Sequence, residues 1–344
     1  MDKKDIYVDG AASALKPESV IRAQENFLRD YYANSGRGTC ARAAAADRMV
    51  ANARAVVAEF IGAAPGQIIF TNGATDGLNR IANMLSQNSV VAVSDLDHHS
   101  ARLPFEHRHK TVVCELDGNL NYKSIPKCDA VVITAMSNVL GTRQQVEELV
   151  AAAGNPLVIV DAAQLIVHEK IDVAKCGADA LVFSGHKIGA DTGVGVMYLK
   201  EPSRWQTDRF GGGQHQATGP ARFEAGTLPL TQIAGLKEAI NKRQETKSEL
   251  LNYLRYELSK NSRIKFISKP GAYVLTFTID GMHPLDFGAM MGARGVCLRV
   301  GNMCASWLHQ RLGIDGSVRI SVGAWNTMAE MKEIVGLTNE ILQR

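Results

Sequence analysis

The chain has 344 residues, 46% of them hydrophobic and 21% charged, with a formal net charge of +3. That is room for a large core and a second, smaller one, in an ordinary globular composition. The charge is too small to argue for a nucleic-acid or membrane partner, no apolar run nears the roughly 18 residues of a membrane span, and Met1-Asp-Lys-Lys-Asp-Ile lacks the apolar core of a signal peptide, so the expected place is the cytoplasm.

Ile6-Tyr-Val-Asp9 has strand character and leads to a helical pattern from Pro17 to about Tyr32, interrupted by Asn34-Ser-Gly-Arg-Gly38. Ala41 to Ile61 is alanine-rich, with Gly62 as its stop signal, and predicts a helix. Gln67-Ile-Ile-Phe-Thr71 predicts a strand, Asn72-Gly-Ala-Thr-Asp-Gly77 a turn, and Leu78 to Leu85 a helix. A glycine turn bearing hydroxyls ahead of a helix is a ready anion site, although a threonine-capped turn is as ordinary an explanation.

Ser89 to Val93 is the next strand and ends at Asp97-His98-His99. Adjacent residues of an extended chain point opposite ways, and no further ligands stand nearby, so no metal site is expected. One imidazole stacked flat on an aromatic ring is the better functional reading, against the ordinary one of surface histidines. Ala130 to Thr134 is a strand leading to Ser137-Asn138, where a polar group can meet a ligand, and a helix follows from Gln145 to Ala153.

Leu157-Val-Ile-Val160 is a strand ending at Asp161, with Gln164 close behind. Leu181 to Phe183 is another, stopping at Ser184-Gly-His-Lys187, and Val194 to Leu199 is a third. Strands alternating with helices imply a mostly parallel sheet with helices on both faces, and groups just past the carboxyl ends of such strands face one crevice. Asp161 and Lys187 should therefore point into one pocket. An ammonium held there is costly to desolvate and gives up its proton readily, which suits a Schiff-base lysine. Such a lysine and a carboxylate for a pyridinium nitrogen are the groups pyridoxal phosphate needs.

After Leu199 come Gly211-Gly-Gly213 and Arg222-Phe-Glu-Ala-Gly-Thr227. One long amphipathic helix is expected from Thr231 to about Tyr256, linking two domains. Strand runs at Tyr273–Thr278, Val296–Val300 and Val318–Val322 and helices at Pro284–Met291 and Met328–Leu342 then give an α+β pattern. The expected division is a large domain of 16–231 and a smaller one of 1–15 and 232–344.

Six cysteines lack CxxC or CxxxC spacing, and most should be buried small hydrophobes. Cys304 differs, because it lies on a glycine-containing loop flanked in sequence by Arg299 and Arg319. It is the candidate reactive thiolate, and Arg319 a candidate clamp for an amino-acid carboxylate.

Taken together these blocks resemble the class V aminotransferase fold, and within it the SufS-like group of cysteine desulfurases and selenocysteine lyases. The likeness runs from Tyr7 to the C-terminus through Ala11–Pro17, Asn72–Asn79, Asp97–His99, Ser137–Thr142, Asp161–Gln164, Ser184–Lys187, Arg222–Thr227, Arg299–Cys304 and Arg319–Thr327. The fifteen-residue interval from Cys304 to Arg319 resembles the short-loop group. Asn302 and Met303 stand where the family commonly has histidines, and the segment between Gly213 and Phe223 is short.

The resemblance implies a type I fold of pyridoxal-phosphate-dependent transferases. Lys187 would carry the cofactor, Asp161 hold its ring nitrogen protonated, Gln164 contact the ring hydroxyl, and His98 stack on the ring. Thr75, Ser184 and His186, with the Ala74 backbone, would bind the phosphate, joined by Thr227 from the other subunit of a homodimer. Asn138 and Arg319 would hold the substrate carboxylate, with Arg299 near the thiol loop, and Cys304 would accept sulfur. The implied reaction turns L-cysteine into L-alanine and passes the sulfur to an acceptor protein for iron–sulfur cluster assembly. L-Selenocysteine as substrate, another β-lyase or aminotransferase activity, and a non-catalytic scaffold of the sulfur pathway are the alternatives.

Overall fold

The computed structural model describes residues 5–36, 38–152, 154–243 and 246–343, so Arg37 in the expected break, Ala153 at the end of an expected helix, and Gln244 and Glu245 lie outside the described residues. Seven strands form the central sheet: β1 (Ile68–Thr71), β2 (Val90–Val93), β3 (Lys110–Val113), β4 (Ala130–Thr134), β5 (Leu157–Asp161), β6 (Ala180–Ser184) and β7 (Gly195–Leu199). Their spatial order is β1-β7-β6-β5-β4-β2-β3. Only β7 runs antiparallel to its neighbours, so the sheet is mostly parallel.

The continuous apolar runs are explained by burial on both faces. In β6, Leu181 and Phe183 join one core and Ala180 and Val182 the other, as alternating strand side chains must. Gly195 opens β7 because nothing larger fits. A Cβ there would stand 2.5 Å from the Gly73 backbone and 2.7 Å from the Phe183 carbonyl oxygen.

Helices cover both faces. α1 (Glu18–Asn26) continues into a wider π-type turn over Phe27–Tyr31, and α2 (Ala41–Ile61) ends at Gly62 with φ 70°, a left-handed cap that glycine adopts without penalty. α3 (Ala74–Met84) begins four residues before the expected Leu78, so Ala74 and Thr75 open the helix instead of lying in a turn before it. α4 (His99–Arg108) was not foreseen, because Pro104 and the polar residues around it hide its periodicity. α5 is Val146–Ala152.

The expected long helix from Thr231 is two helices, α6 (Leu230–Asn241) and α7 (Ser248–Leu258). Their apolar faces serve different cores. Ile233, Leu236 and Ile240 join the main core, whereas Leu250, Leu254 and Leu258 join a second one. The chain turns at Arg243, whose guanidinium donates to the carbonyls of Ile166 and Val167, and Lys247 donates to that of Asn326. Residue 232 therefore lies inside a helix of the main core, and the change of core comes after α6.

The second core backs an antiparallel sheet of order β8-β9-β11-β10, formed by β8 (Ile264–Phe266), β9 (Leu275–Ile279), β10 (Arg299–Gly301) and β11 (Ser317–Ile320). With it pack α8 (Pro284–Gly292) and α10 (Met328–Leu342), the latter started by a Thr327–Glu330 capping box. α9 (Ser306–Leu312) lies between and sends Leu308 into the main core. The N-terminal Ile6–Tyr7 pairs parallel with Val296–Cys297, so both ends of the chain meet in this part. No helix among the described residues is long and apolar enough to cross a membrane.

Candidate active site

The carboxyl ends of β1, β4, β5 and β6 converge on a cavity of about 190 Å³. β6 ends at Ser184 and passes into a single helical turn, Gly185–Ile188, that turns Lys187 inward. Its amine donates to the Ala11 carbonyl at 2.5 Å. Burial first, then the Arg319 guanidinium, lowers this ammonium to about 8, although Asp161 opposes the shift.

Asp161 ends β5 in the same cavity. One of its oxygens accepts from the Ala163 N–H at 2.9 Å, and burial raises its pKa. A buried acid and a buried amine thus share one space, each pushed toward its neutral form by loss of water.

His98 caps α4: its Nδ1 accepts from the Ser100 N–H at 3.1 Å, leaving the proton of the neutral ring on Nε2. Burial and then Lys187 lower it to about 4, so the ring is neutral at pH 7. Ser184 Oγ accepts from the Ala74 N–H at 2.8 Å, at the start of α3, and Thr75 Oγ1 bonds Ser100 Oγ at 2.7 Å. His186, also lowered to about 4 by burial, lies 3.4 Å from Ser13 Oγ. Thr75, Ser184 and His186 also border an open bowl of about 530 Å³ at the α3 N-terminus, with Arg209 opposite.

Gln164 donates to the Ala11 carbonyl and Asn138 to that of Met303, yet the side-chain oxygen of each is buried without a partner among the described residues. Unsatisfied buried oxygens cost roughly 1–3 kcal/mol each, so two in one cavity wall indicate a polar occupant.

The structure thus brings Ala74, Thr75, His98, Asn138, Asp161, Gln164, Ser184, His186 and Lys187 to one cavity. Thr227 is exposed and lies outside it. Arg319 is 2% exposed and is not a cavity wall. It donates to the Asn138 carbonyl and to Asp9, each at 2.9 Å, and its Nε has no partner among the described residues. Arg299 binds the other Asp9 oxygen at 2.7 Å.

Cys304 is exposed on the turn between β10 and α9, as the sequence suggested. Of the other cysteines only Cys114 and Cys176 are buried, fewer than expected. Three contributors escaped sequence reasoning. Asp9 ends a strand-like run, as Asp161 does, but nothing local announces its arginine partners. Thr134 lines the cavity and donates to the wholly buried Asp97, whose carboxyl burial pushes up to about 7. His99, whose ring lies 6.3 Å from that of His98 rather than diverging from it, donates its N–H to the Cys304 carbonyl.

Residues 6–334 match the Aminotransferase class-V family. A probable cysteine desulfurase of Vibrio cholerae is 32% identical, the match covering 96% of this chain and 92% of the relative. A cysteine desulfurase of Escherichia coli is 31% identical over 96% and 91%. Among solved structures, the apo cysteine desulfurase of Thermococcus onnurineus superposes with a TM-score of 0.92 at 27% identity, covering 98% of this chain and 95% of that one. A cysteine desulfurase of Escherichia coli, in an S-sulfonic acid form, gives 0.89 at 27% identity over 98% and 95%.

Proposed function

The chain belongs to the class-V aminotransferase family, and from that premise we propose that it is a pyridoxal-phosphate-dependent cysteine desulfurase. The observation that carries this is a buried lysine, lowered to about 8, sharing a cavity with a buried acid. The cavity fits the cofactor. Lys187 would meet the aldehyde, Asp161 the ring nitrogen and the orphaned Gln164 oxygen the ring hydroxyl, while Ala74, Thr75, Ser184 and His186 would hold the phosphate at a helix N-terminus.

When bound, pyridoxal phosphate supplies an electron sink that acidifies the substrate Cα–H. Lys187 supplies the base. At pH 7 an amine lowered to about 8 is neutral roughly 300-fold more often than an ordinary lysine, and only the neutral amine takes a proton. Asp161, where burial is opposed by the Ala163 N–H and Lys187, which favour the ionised form, would hold the positive charge of a protonated ring nitrogen, and the neutral His98 ring offers a flat face without adding charge. Asn138 gives one amide N–H to the Met303 carbonyl and would offer the other to a substrate carboxylate, its main chain held by Arg319.

Cys304 takes the sulfur. Its thiolate forms an S–S bond to the substrate sulfur as the substrate C–S bond breaks. The released electron pair and a proton stay with the carbon skeleton, so L-cysteine and the Cys304 thiol become L-alanine and a Cys304 persulfide. We propose that the persulfide passes to an acceptor protein in iron–sulfur cluster assembly. The exposure of Thr227, away from its own cavity, supports a homodimer in which it reaches the partner's phosphate site. The absence of a long apolar helix among the described residues is compatible with a place in the cytoplasm.

The test is to incubate the purified protein, loaded with pyridoxal phosphate, with L-cysteine and a reductant, and to measure alanine and sulfide together. Equal yields that vanish in Cys304→Ala support the proposal. Alanine formation that survives this change overturns it. Persistent activity of the variant on L-selenocysteine alone would move the preference to that substrate.

A further inference from the structure

Cys304 sits in a turn that its own sequence does not favour. The Ala305 N–H donates to the Asn302 carbonyl at 2.9 Å, and the two residues between, Met303 and Cys304, have φ of 52° and 56°. Two left-handed central residues mark a turn of the I′ kind, for which glycine and asparagine are preferred. A side chain there costs roughly 1–2 kcal/mol per residue, so contacts from outside must hold the turn.

Those contacts come chiefly from His99. Its N–H donates to the Cys304 carbonyl at 2.8 Å. Its ring Nε2 lies 2.8 Å from Ser306 Oγ and accepts from the Ser306 N–H at 3.4 Å, two residues beyond the thiol. The ring stands edge-on to Trp307 at 5.2 Å, and Trp307 is covered in turn by the Arg102 guanidinium of the same helix, 4.2 Å from its ring centre. Asn138 holds the turn from the other side through the Met303 carbonyl. His98, the neighbour of His99, is a wall of the cavity.

We propose that His99 is a positioning residue for the Cys304 thiol, its ring bonded to Ser306 so that the strained turn keeps one place relative to the cavity. The assignment deepens the desulfurase reading and rests on Cys304 being the sulfur acceptor. His99 is not a wall of the cavity. It sets the register between the start of α4, which carries the cavity wall, and the start of α9, which carries the thiol.

The test compares wild type, His99→Ala and His99→Gln, each loaded with pyridoxal phosphate. Cys304 alkylation by iodoacetamide, read by mass spectrometry of its peptide, reports freedom of the turn. Single-turnover persulfide formation reports its placement. In His99→Ala alkylation should quicken about fivefold, equivalent to about 1 kcal/mol, while persulfide formation slows by a similar factor and the visible spectrum of the bound cofactor is unchanged. His99→Gln keeps an acceptor for the Ser306 N–H and should return both rates most of the way to the wild-type values. Unchanged alkylation, rates that fall together, or no recovery with glutamine would overturn the proposal. If the wild type makes no alanine, the desulfurase reading fails, while alkylation still reports whether His99 holds the turn.

Discussion

Asp9 and Arg319 stand 310 residues apart in the chain and form a buried ion pair at 2.9 Å. Arg299 takes the second Asp9 oxygen, so one carboxylate from the N-terminal segment ties together two strands of the smaller sheet. Arg319 then donates to the Asn138 carbonyl, which brings the bridge up to the wall of the cavity.

Removing Asp9 should therefore be costly. Breaking a buried pair by deleting one partner leaves the other charge uncompensated, typically at about 3–5 kcal/mol. Asp9→Ala should lower stability by about 3 kcal/mol in urea unfolding, and Arg319→Met in the same chain should restore part of it. Loss below about 1 kcal/mol would mean that the pair is not buried in solution.

The buried acid Asp97 gives a pH signature. His98 and His186 are lowered to about 4 and His168 to about 3, so between about pH 4 and 6.5 the unfolded chain binds more protons than the fold, and stability rises with pH. Asp97, raised to about 7, binds its proton in the fold over the same window and acts oppositely. Asp97→Asn should thus steepen the rise by up to about 1.4 kcal/mol per pH unit. Urea midpoints from pH 4 to 7 measure it, and a slope unchanged or shallower would contradict the assignment.

The left-handed turn makes a stability prediction independent of catalysis. At Cys304, with φ 56° and an exposed side chain, glycine fits the backbone and alanine does not. Cys304→Gly should be more stable than Cys304→Ala by about 1 kcal/mol, measured by thermal or urea unfolding. The reverse order, normal elsewhere, would show that the turn relaxes.

Lys187 and Asp161 should separate base from charge holder. Lys187→Ala should lower alanine formation by roughly 10⁴-fold, with the fold intact by circular dichroism. Asp161→Asn should lower it by about 10²–10³-fold, since one fixed charge is lost while the base remains. Equal effects of the two changes would refute this division of roles.

Much of this site was legible because its residues follow long apolar runs. Asp161, Ser184 and Lys187 stand at the ends of strands that no other element could accommodate, and Ala74 and Thr75 follow a third. The helix α4 was not legible, since Pro104 and its polar neighbours break the pattern that burial normally imposes. The division of the expected 231–256 helix was hidden for the opposite reason, its periodicity continuing although the two halves face different cores.

The sequence by itself determined the mostly parallel sheet and the strand ends, because apolar periodicity is a local record of burial. Only the tertiary structure decided that Asp9 would meet Arg319 and Arg299, and that His99 would hold the Cys304 turn. Those pairings join segments some two to three hundred residues apart, and a charge or an imidazole carries no trace in its own neighbourhood of the partner that folding will bring to it.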